Sequence, residues 1–160
     1  MIILHRILVA TDFSDCSNEA LDYAIYLARN FGADLYLLHA FGLPFFSHTG
    51  VSPGVHPEVH QWIKEVKKDA ASQLNDLAEK IRKEGAKVHP IFKEGTPFIE
   101  ILKSAGEIPA DLIVMGTHGR SGLSHVLMGS EAERVVRKAS CPVFTVKLKA
   151  FTTAGRKKNP

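Results

Sequence analysis

The sequence has little of what marks secreted, membrane or disulfide-linked proteins. Its only two cysteines, Cys16 and Cys141, are too few for a disulfide framework and show no C-x-x-C spacing. No apolar run approaches the ~20 residues that a membrane span needs. The apolar start is broken by His5 and Arg6, whereas a secretory signal needs a longer apolar core and a cleavage site. We therefore expect a cytoplasmic protein with no membrane partner.

The main part of the chain also lacks an excess of positive charge. The formal net charge is +3, but five of the 20 basic residues lie between Lys147 and Pro160, where no acidic residue occurs. The rest of the chain holds 15 basic against 17 acidic residues. Because nucleic-acid binding needs a basic surface, we predict no nucleic-acid partner. We expect one domain over residues 1–148 and a flexible basic tail over 149–160.

Short apolar runs alternate with segments of helical periodicity. The runs predict five strands, at 6–11, 35–41, 87–92, 111–115 and 142–146. Apolar residues spaced by three and four predict the helices between them, ending at Gly32, at Gly85, near Ala105 and before Pro142. The stretch 42–57, rich in proline and glycine, has the composition of an exposed loop that could act as a lid.

This alternation predicts an α/β fold with a doubly wound, five-stranded parallel sheet. The fold is Rossmann-like, with helices on both faces, because strands without internal alternation are buried on both sides. Ligands of such sheets bind beyond the carboxyl ends of the strands, where the winding direction reverses. If strands 1 and 4 are neighbours there, Asp12 and Gly116 face one crevice.

One strand-to-helix loop carries spaced glycines. Gly116 and Gly119 follow strand 4, and Gly129 precedes Ser130, which we expect to form an S-x-x-E capping box with Glu133. Absent Cβ atoms let phosphate oxygens approach the backbone, and the start of a helix favours anions. The sequence contains neither the Walker A pattern G-x-x-x-x-G-K-[ST] nor the dinucleotide fingerprint G-x-G-x-x-G.

These residues resemble the nucleotide-binding members of the universal stress protein family, which carry G-x2-G-x9-G-[ST] after strand 4. Gly116, Gly119, Gly129 and Ser130 match every position. The resemblance covers about residues 3–147, including Asp12 at the end of strand 1. It implies an adenine nucleotide alpha hydrolase-like fold that binds ATP, and we expect the bound nucleotide, ATP or AMP, to carry Mg²⁺. The implied pocket residues are Ala10, Thr11, Asp12, Ala40, Met115, Gly116, His118, Gly119, Gly129, Ser130 and Glu131.

The resemblance also implies a homodimer that forms through the last strand, here Pro142 to Lys147. Glu131 departs from the family pattern, in which a small or β-branched residue follows Gly-Ser. A carboxylate there suits the helix dipole but repels a docked phosphate. Pointing inward, it would lower triphosphate affinity and favour a less charged ligand such as AMP, whereas pointing outward it would change nothing. The sequence leaves both orientations open.

Structural roles compete with functional ones at several of these positions. Ser130 could serve only as an N-cap, and Asp12 could cap the first helix together with Ser14 instead of approaching the ribose or Mg²⁺. His118 has no evident carboxylate partner, so we predict no catalytic residue. The pair His56 and His60 lacks obvious further ligands, so we predict no metal site within the protein.

The favoured hypothesis is a homodimeric, nucleotide-dependent binding or regulatory module that acts in stress response. One alternative is a slow ATPase or a self-phosphorylating protein that uses Ser130 or a nearby hydroxyl with Mg²⁺. Another is a structural dimerising module that has lost its ligand because of Glu131.

Overall fold

The structure is a computed structural model that describes residues 3–42, 57–119 and 128–148. In these ranges strands and helices alternate as β1 (Arg6–Ala10), α1 (Asp15–Phe31), β2 (Asp34–Phe41), α2 (Pro57–Lys83), β3 (Val88–Glu94), α3 (Pro97–Glu107), β4 (Leu112–Gly116), α4 (Ser130–Lys138) and β5 (Val143–Val146). The predicted order is confirmed, and each strand boundary lies within two residues of its predicted place. Residues 43–56 of the proposed lid and the tail 149–160 lie outside the described residues, and Pro57, which was predicted to end that loop, is the first residue of α2.

The five strands form one parallel sheet in the order β3-β2-β1-β4-β5. The winding direction reverses between β1 and β4, where Ile7 pairs with Leu112. This arrangement confirms the predicted doubly wound α/β fold and the neighbouring positions of strands 1 and 4. Pro90 lies within β3, which is an edge strand, where proline is tolerated because one side of the strand donates to no neighbour.

Side chains of the central strands pack alternately on the two faces of the sheet. Ile7 and Val9 belong to the cluster formed with α1 and α2, whereas Leu8 between them belongs to the cluster formed with α3 and α4. All three are 0% exposed. Burying an aliphatic side chain of this size stabilises the fold by about 1.5–3 kcal/mol, so a one-residue shift of β1 would disrupt both clusters.

The amino-terminal ends of β1 and β4 are joined by a carboxylate. The backbone N–H groups of His5 and Arg6 both donate to Oδ2 of Asp111, each at 2.8 Å. These two hydrogen bonds hold the pKa of Asp111 below its ordinary value. Asp111 therefore fixes the start of β1 beside the start of β4.

The helix ends agree with the sequence except in α4. Helix α1 ends at Gly32, which has a φ of 66°, a left-handed conformation that glycine adopts without strain. The capping box predicted for α4 is wrong, because Gly129 is the N-cap and Ser130 is already helical. Glu133 instead forms an ion pair with Arg137 at 3.1 Å.

Helix α4 also ends earlier than predicted. Its last residue is Lys138, and Ala139 is already extended. The following residues carry the chain to Pro142, whose carbonyl accepts from the Ile113 N–H at 3.0 Å. None of the described helices is both long enough and apolar enough to span a lipid bilayer.

Candidate functional site

A pocket of about 200 Å³ opens beyond the carboxyl ends of β1, β2 and β4. It is lined by all eleven predicted site residues, namely Ala10, Thr11, Asp12, Ala40, Met115, Gly116, His118, Gly119, Gly129, Ser130 and Glu131. Six lining residues were not predicted, namely Ser17, Leu38, Pro97, Ile101, Thr117 and Ala132. Thr117 and Ala132 adjoin predicted residues in sequence and could have been found from that neighbourhood. Pro97 and Ile101 carry no such signal, because only tertiary packing brings α3 to the pocket.

Asp12 lies at the wall formed by the end of β1. Its Oδ1 accepts from the Ser14 N–H at 3.1 Å and from the Ser14 hydroxyl at 2.5 Å. Ser14 is the N-cap of α1, and its Oγ accepts from the Ser17 N–H at 3.3 Å. Asp12 thus orients the capping residue and does not cap the helix itself. These bonds to Oδ1 hold the Asp12 carboxylate at the pocket wall.

The turn after β1 is held in a constrained conformation. Phe13 has a φ of 64°, a left-handed conformation that costs a non-glycine residue about 1–2 kcal/mol. Its N–H donates to Thr11 Oγ1 at 3.0 Å. The buried ring of His39 donates from Nδ1 to the Thr11 carbonyl at 2.8 Å and packs on the Phe13 ring, with centroids 4.5 Å apart. These contacts fix the backbone that presents Asp12.

Gly116 and Gly129 lie where the protein packs against itself. A Cβ on Gly116 would come within 2.8 Å of Cys16 Sγ and 3.1 Å of the Cys16 carbonyl carbon. A Cβ on Gly129 would lie 3.0 Å from the Thr117 carbonyl oxygen, which accepts from the Gly129 N–H at 2.7 Å. These two glycines are therefore required by chain packing, whatever ligand the pocket holds.

Gly119 and His118 follow β4 and line the pocket. A Cβ on Gly119 would lie 2.8 Å from Oδ2 of Asp12, so this glycine and this carboxylate face each other closely. Nδ1 of His118 is 2.9 Å from Oγ1 of Thr117. The absence of a side chain at residue 119 allows this close packing.

The start of α4 provides the clearest electrostatic feature of the pocket. Gly129 is its N-cap and supplies no side-chain capping bond. The amides of a first turn have no partners within their own helix, and here they belong to Ser130, Glu131 and Ala132, which all line the pocket. The helix dipole adds partial positive charge at this end. The wall formed by α4 is therefore suited to an anion.

Glu131 reaches from α4 to the start of α3. Its Oε2 accepts from the Phe98 N–H at 2.7 Å, and its Oε1 is 3.9 Å from Arg134. Thr96, the N-cap of α3, makes no side-chain capping bond. The carboxylate thus caps a second helix at the rim of the pocket, an arrangement that neither of the two predicted orientations included.

Other reactive side chains add little chemistry to the site. Burial, with a contribution from the charge of Asp111, raises the pKa of the Cys141 thiol, which disfavours the reactive thiolate. Within the described residues, no group of three or more histidine, cysteine, aspartate or glutamate side chains could hold a metal ion. Of the histidine pair considered from the sequence, His60 lies in α2 and His56 lies outside the described residues.

Comparison with known proteins places this geometry in a family. The family model described as the universal stress protein family matches residues 4–147. The chain belongs to the universal stress protein family. Among its curated relatives is universal stress protein MJ0531 of Methanocaldococcus jannaschii, which is 38% identical over 143 residues, covering 89% of this chain and 81% of the relative.

Solved structures of universal stress proteins share the fold of this chain. The structure of MJ0577 has a TM-score of 0.75 and 30% identity, covering 93% of this chain and 99% of that chain. The universal stress protein of Archaeoglobus fulgidus in complex with dAMP has a TM-score of 0.61 and 26% identity, covering 92% of this chain and 100% of that chain. At least one solved universal stress protein of this fold therefore binds an adenine nucleotide.

Proposed function

We propose that this universal stress protein binds an adenine nucleotide, ATP or AMP, in the pocket beyond β1 and β4. The observation that carries the proposal is the uncapped first turn of α4, which shares one pocket with Asp12. A helix start suits phosphate, and a carboxylate across the pocket suits ribose hydroxyls. The dAMP complex of the Archaeoglobus fulgidus relative supports the ligand class.

The pocket residues divide into two groups by chemistry. We assign the phosphates to Gly119, Ser130 and the first-turn amides of α4. We assign the adenosine to the strand ends, where Ala10, Ala40 and Met115 offer an apolar surface. This division follows the usual composition of ligand pockets, in which apolar walls bury the ligand and a few polar groups orient it.

The residues present also fit a nucleotide-bound Mg²⁺. This ion is commonly held by one or two carboxylates together with substrate phosphates and water. Asp12 is the carboxylate that we assign to this role, because it lines the same pocket as the first turn of α4, to which we assign the phosphates. When bound, Mg²⁺ would reduce the negative charge of the phosphates.

Binding is favoured over catalysis as the function of the pocket. No side chain among the described residues hydrogen-bonds the Ser130 hydroxyl, so none of them is positioned as a general base to activate it. The alternative of slow ATP hydrolysis or self-phosphorylation predicts labelled product in a single-turnover assay with Mg²⁺ and ATP. Absence of product over hours would exclude it.

We further propose that the protein is a homodimer that acts as a nucleotide-dependent binding module in stress response. Strand β5 pairs only with β4 in the described sheet, and Phe144 on it is 41% exposed. The Phe144 ring contacts Tyr23, with centroids 5.7 Å apart. An apolar sheet edge of this kind favours pairing with a second copy. Light scattering should give twice the chain mass for the wild type and the single chain mass for Phe144→Glu.

Isothermal titration of the purified protein with ATP, AMP, adenosine and GTP tests the ligand assignment. We expect saturable binding of adenine nucleotides in the micromolar to millimolar range and weaker binding of GTP. Absence of saturable binding of every adenine compound at millimolar concentration would overturn the proposed function.

A further inference from the structure

The starts of α3 and α4 border the same pocket but differ in their capping. Pro97 and Ile101 of α3 and residues 130–132 of α4 all line it. The first turn of α4 has no side-chain cap, whereas the Phe98 N–H of α3 donates to Oε2 of Glu131 at 2.7 Å. One helix start is therefore open to an anion, and the other already holds an anion that belongs to the protein.

The hydrogen bond to Phe98 places the negative charge of Glu131. A side chain free in solvent would spread its charge over many rotamers, but this carboxylate is held between two helix starts. Arg134 is 3.9 Å from Oε1 of Glu131, and its side chain is 53% exposed. An exposed arginine at that distance compensates the carboxylate only in part, because water screens the pair.

We infer that Glu131 determines the charge of the ligand that this pocket accepts, favouring a nucleoside monophosphate over a nucleoside triphosphate. The inference rests on the proposed function. A phosphate on the first turn of α4 lies beside the residue that bears the fixed carboxylate, and the repulsion grows with the charge of the phosphate chain. Adenosine carries no such charge and is unaffected.

Glu131→Gln tests this inference without removing the contact between the helices. The glutamine amide oxygen can still accept from the Phe98 N–H, so only the charge changes. Glu133→Gln is the matched control, because Glu133 lies in the same first turn, pairs with Arg137 at 3.1 Å and does not line the pocket. Both variants change the net charge equally.

Affinities for ATP, AMP and adenosine should be measured on all three proteins without Mg²⁺. Relative to wild type, Glu131→Gln should bind ATP about ten-fold more tightly, AMP at most about three-fold more tightly, and adenosine equally. Glu133→Gln should leave the ratio of ATP to AMP affinity within about two-fold of wild type. The difference between wild type and Glu131→Gln should shrink as salt is added, because ions screen the repulsion.

An unchanged ratio of ATP to AMP affinity in Glu131→Gln, or the same change in Glu133→Gln, would overturn the inference while leaving the proposed function standing. Absence of binding of all three compounds to wild type and both variants would overturn the proposed function and the inference with it. Thermal unfolding supplies the folding control. The midpoint for Glu131→Gln should stay near that of wild type, whereas Glu131→Ala should unfold at lower temperature because α3 loses its capping acceptor.

Discussion

Two aspartates at opposite ends of the same strand pair have different surroundings. Asp111, at the amino-terminal end of β4, accepts two backbone N–H bonds at 2.8 Å through one oxygen and does not line the candidate pocket. Asp12, at the carboxyl end of β1, uses Oδ1 to orient Ser14, has Oδ2 close to Gly119 and lines the pocket. The comparison teaches that the end of the strand, more than the residue type, decides whether a carboxylate serves the fold or faces a site.

Gly116→Ala challenges this division most strongly, because it adds a Cβ at the carboxyl end where the protein itself is crowded. The Cβ would meet Sγ and the backbone of Cys16 at 2.8–3.1 Å. We expect the free energy of unfolding to fall by about 3 kcal/mol in urea denaturation. Gly106→Ala is the control, since a Cβ there meets nothing within 4 Å; being in helix α3, it should stabilise the protein by up to about 1 kcal/mol. Equal stability of the two variants would contradict the assigned crowding.

Asp12→Asn separates the structural role of this carboxylate from its role in the pocket. The asparagine oxygen can still accept from Ser14, so the free energy of unfolding should change by less than about 0.5 kcal/mol. Loss of the charge should weaken ATP binding in the presence of Mg²⁺ by about ten-fold, with a smaller effect when Mg²⁺ is omitted. Titration calorimetry with and without Mg²⁺ measures both values. Equal losses in the two conditions would argue against a role for Asp12 toward the ion.

Asp111→Ala tests the other aspartate and should affect stability alone. Removing the shared acceptor should lower the free energy of unfolding by about 1 kcal/mol at neutral pH, with nucleotide affinity unchanged. Because folding lowers the pKa of Asp111 below 3.8, its contribution is fully present above that pH. The contribution is lost as the pH falls through the lower pKa of the folded state.

The free energies of unfolding of wild type and Asp111→Ala should therefore differ by a constant amount from pH 7 to about pH 4. The difference should shrink between about pH 4 and pH 2.5. Asp34→Asn, at the amino-terminal end of strand β2, is the control. Asp34 forms an ion pair with the exposed Lys87 at 3.8 Å and lies 3.3 Å from Nε2 of the exposed His89, and exposed contacts of this kind contribute little. If Asp34→Asn lowered the free energy of unfolding as much as Asp111→Ala, the role assigned to Asp111 would be contradicted.

Gly119→Ala should have a much smaller effect on stability than Gly116→Ala. Its Cβ would lie 2.8 Å from Asp12 Oδ2, which belongs to a side chain and not to the backbone. We expect less than about 1 kcal/mol of destabilisation and a few-fold loss of nucleotide affinity as Asp12 moves. A stability loss matching that of Gly116→Ala would show that the Asp12 side chain is as rigid as the backbone of Cys16.

Local sequence patterns predict the fold well. The helical periodicity of apolar residues, the glycines at helix ends and the alternation of strands with helices all depend on residues close together in the sequence. The same patterns place Asp12 and Gly116 at one crevice once the strand order is assumed. They miss Pro97 and Ile101, whose approach depends on how α3 packs over the sheet. They also misplace the cap of α4, since the short contact between Gly129 and Thr117 that fixes the helix start joins residues twelve apart in sequence.

The orientation of Glu131 shows the same limit. Its acceptor role depends on Phe98, which is 33 residues away in sequence, and on Thr96 leaving the start of α3 without a side-chain cap. When α4 is considered alone, the Glu131 side chain can point only toward the pocket or toward solvent. Its contact with α3 becomes possible only in the tertiary fold, which brings the two helix starts together.

The left-handed turn at Phe13 has a consequence for the thermodynamics of ligand binding. The His39 and Thr11 contacts already immobilise this backbone in the folded protein. The turn therefore loses its conformational entropy on folding and not on ligand binding. A ligand that binds beside Asp12 then loses entropy of its own, but the turn loses almost no further conformational entropy. Loosening the turn by Phe13→Gly should therefore appear in calorimetry as a less favourable binding entropy, with the binding enthalpy nearly unchanged.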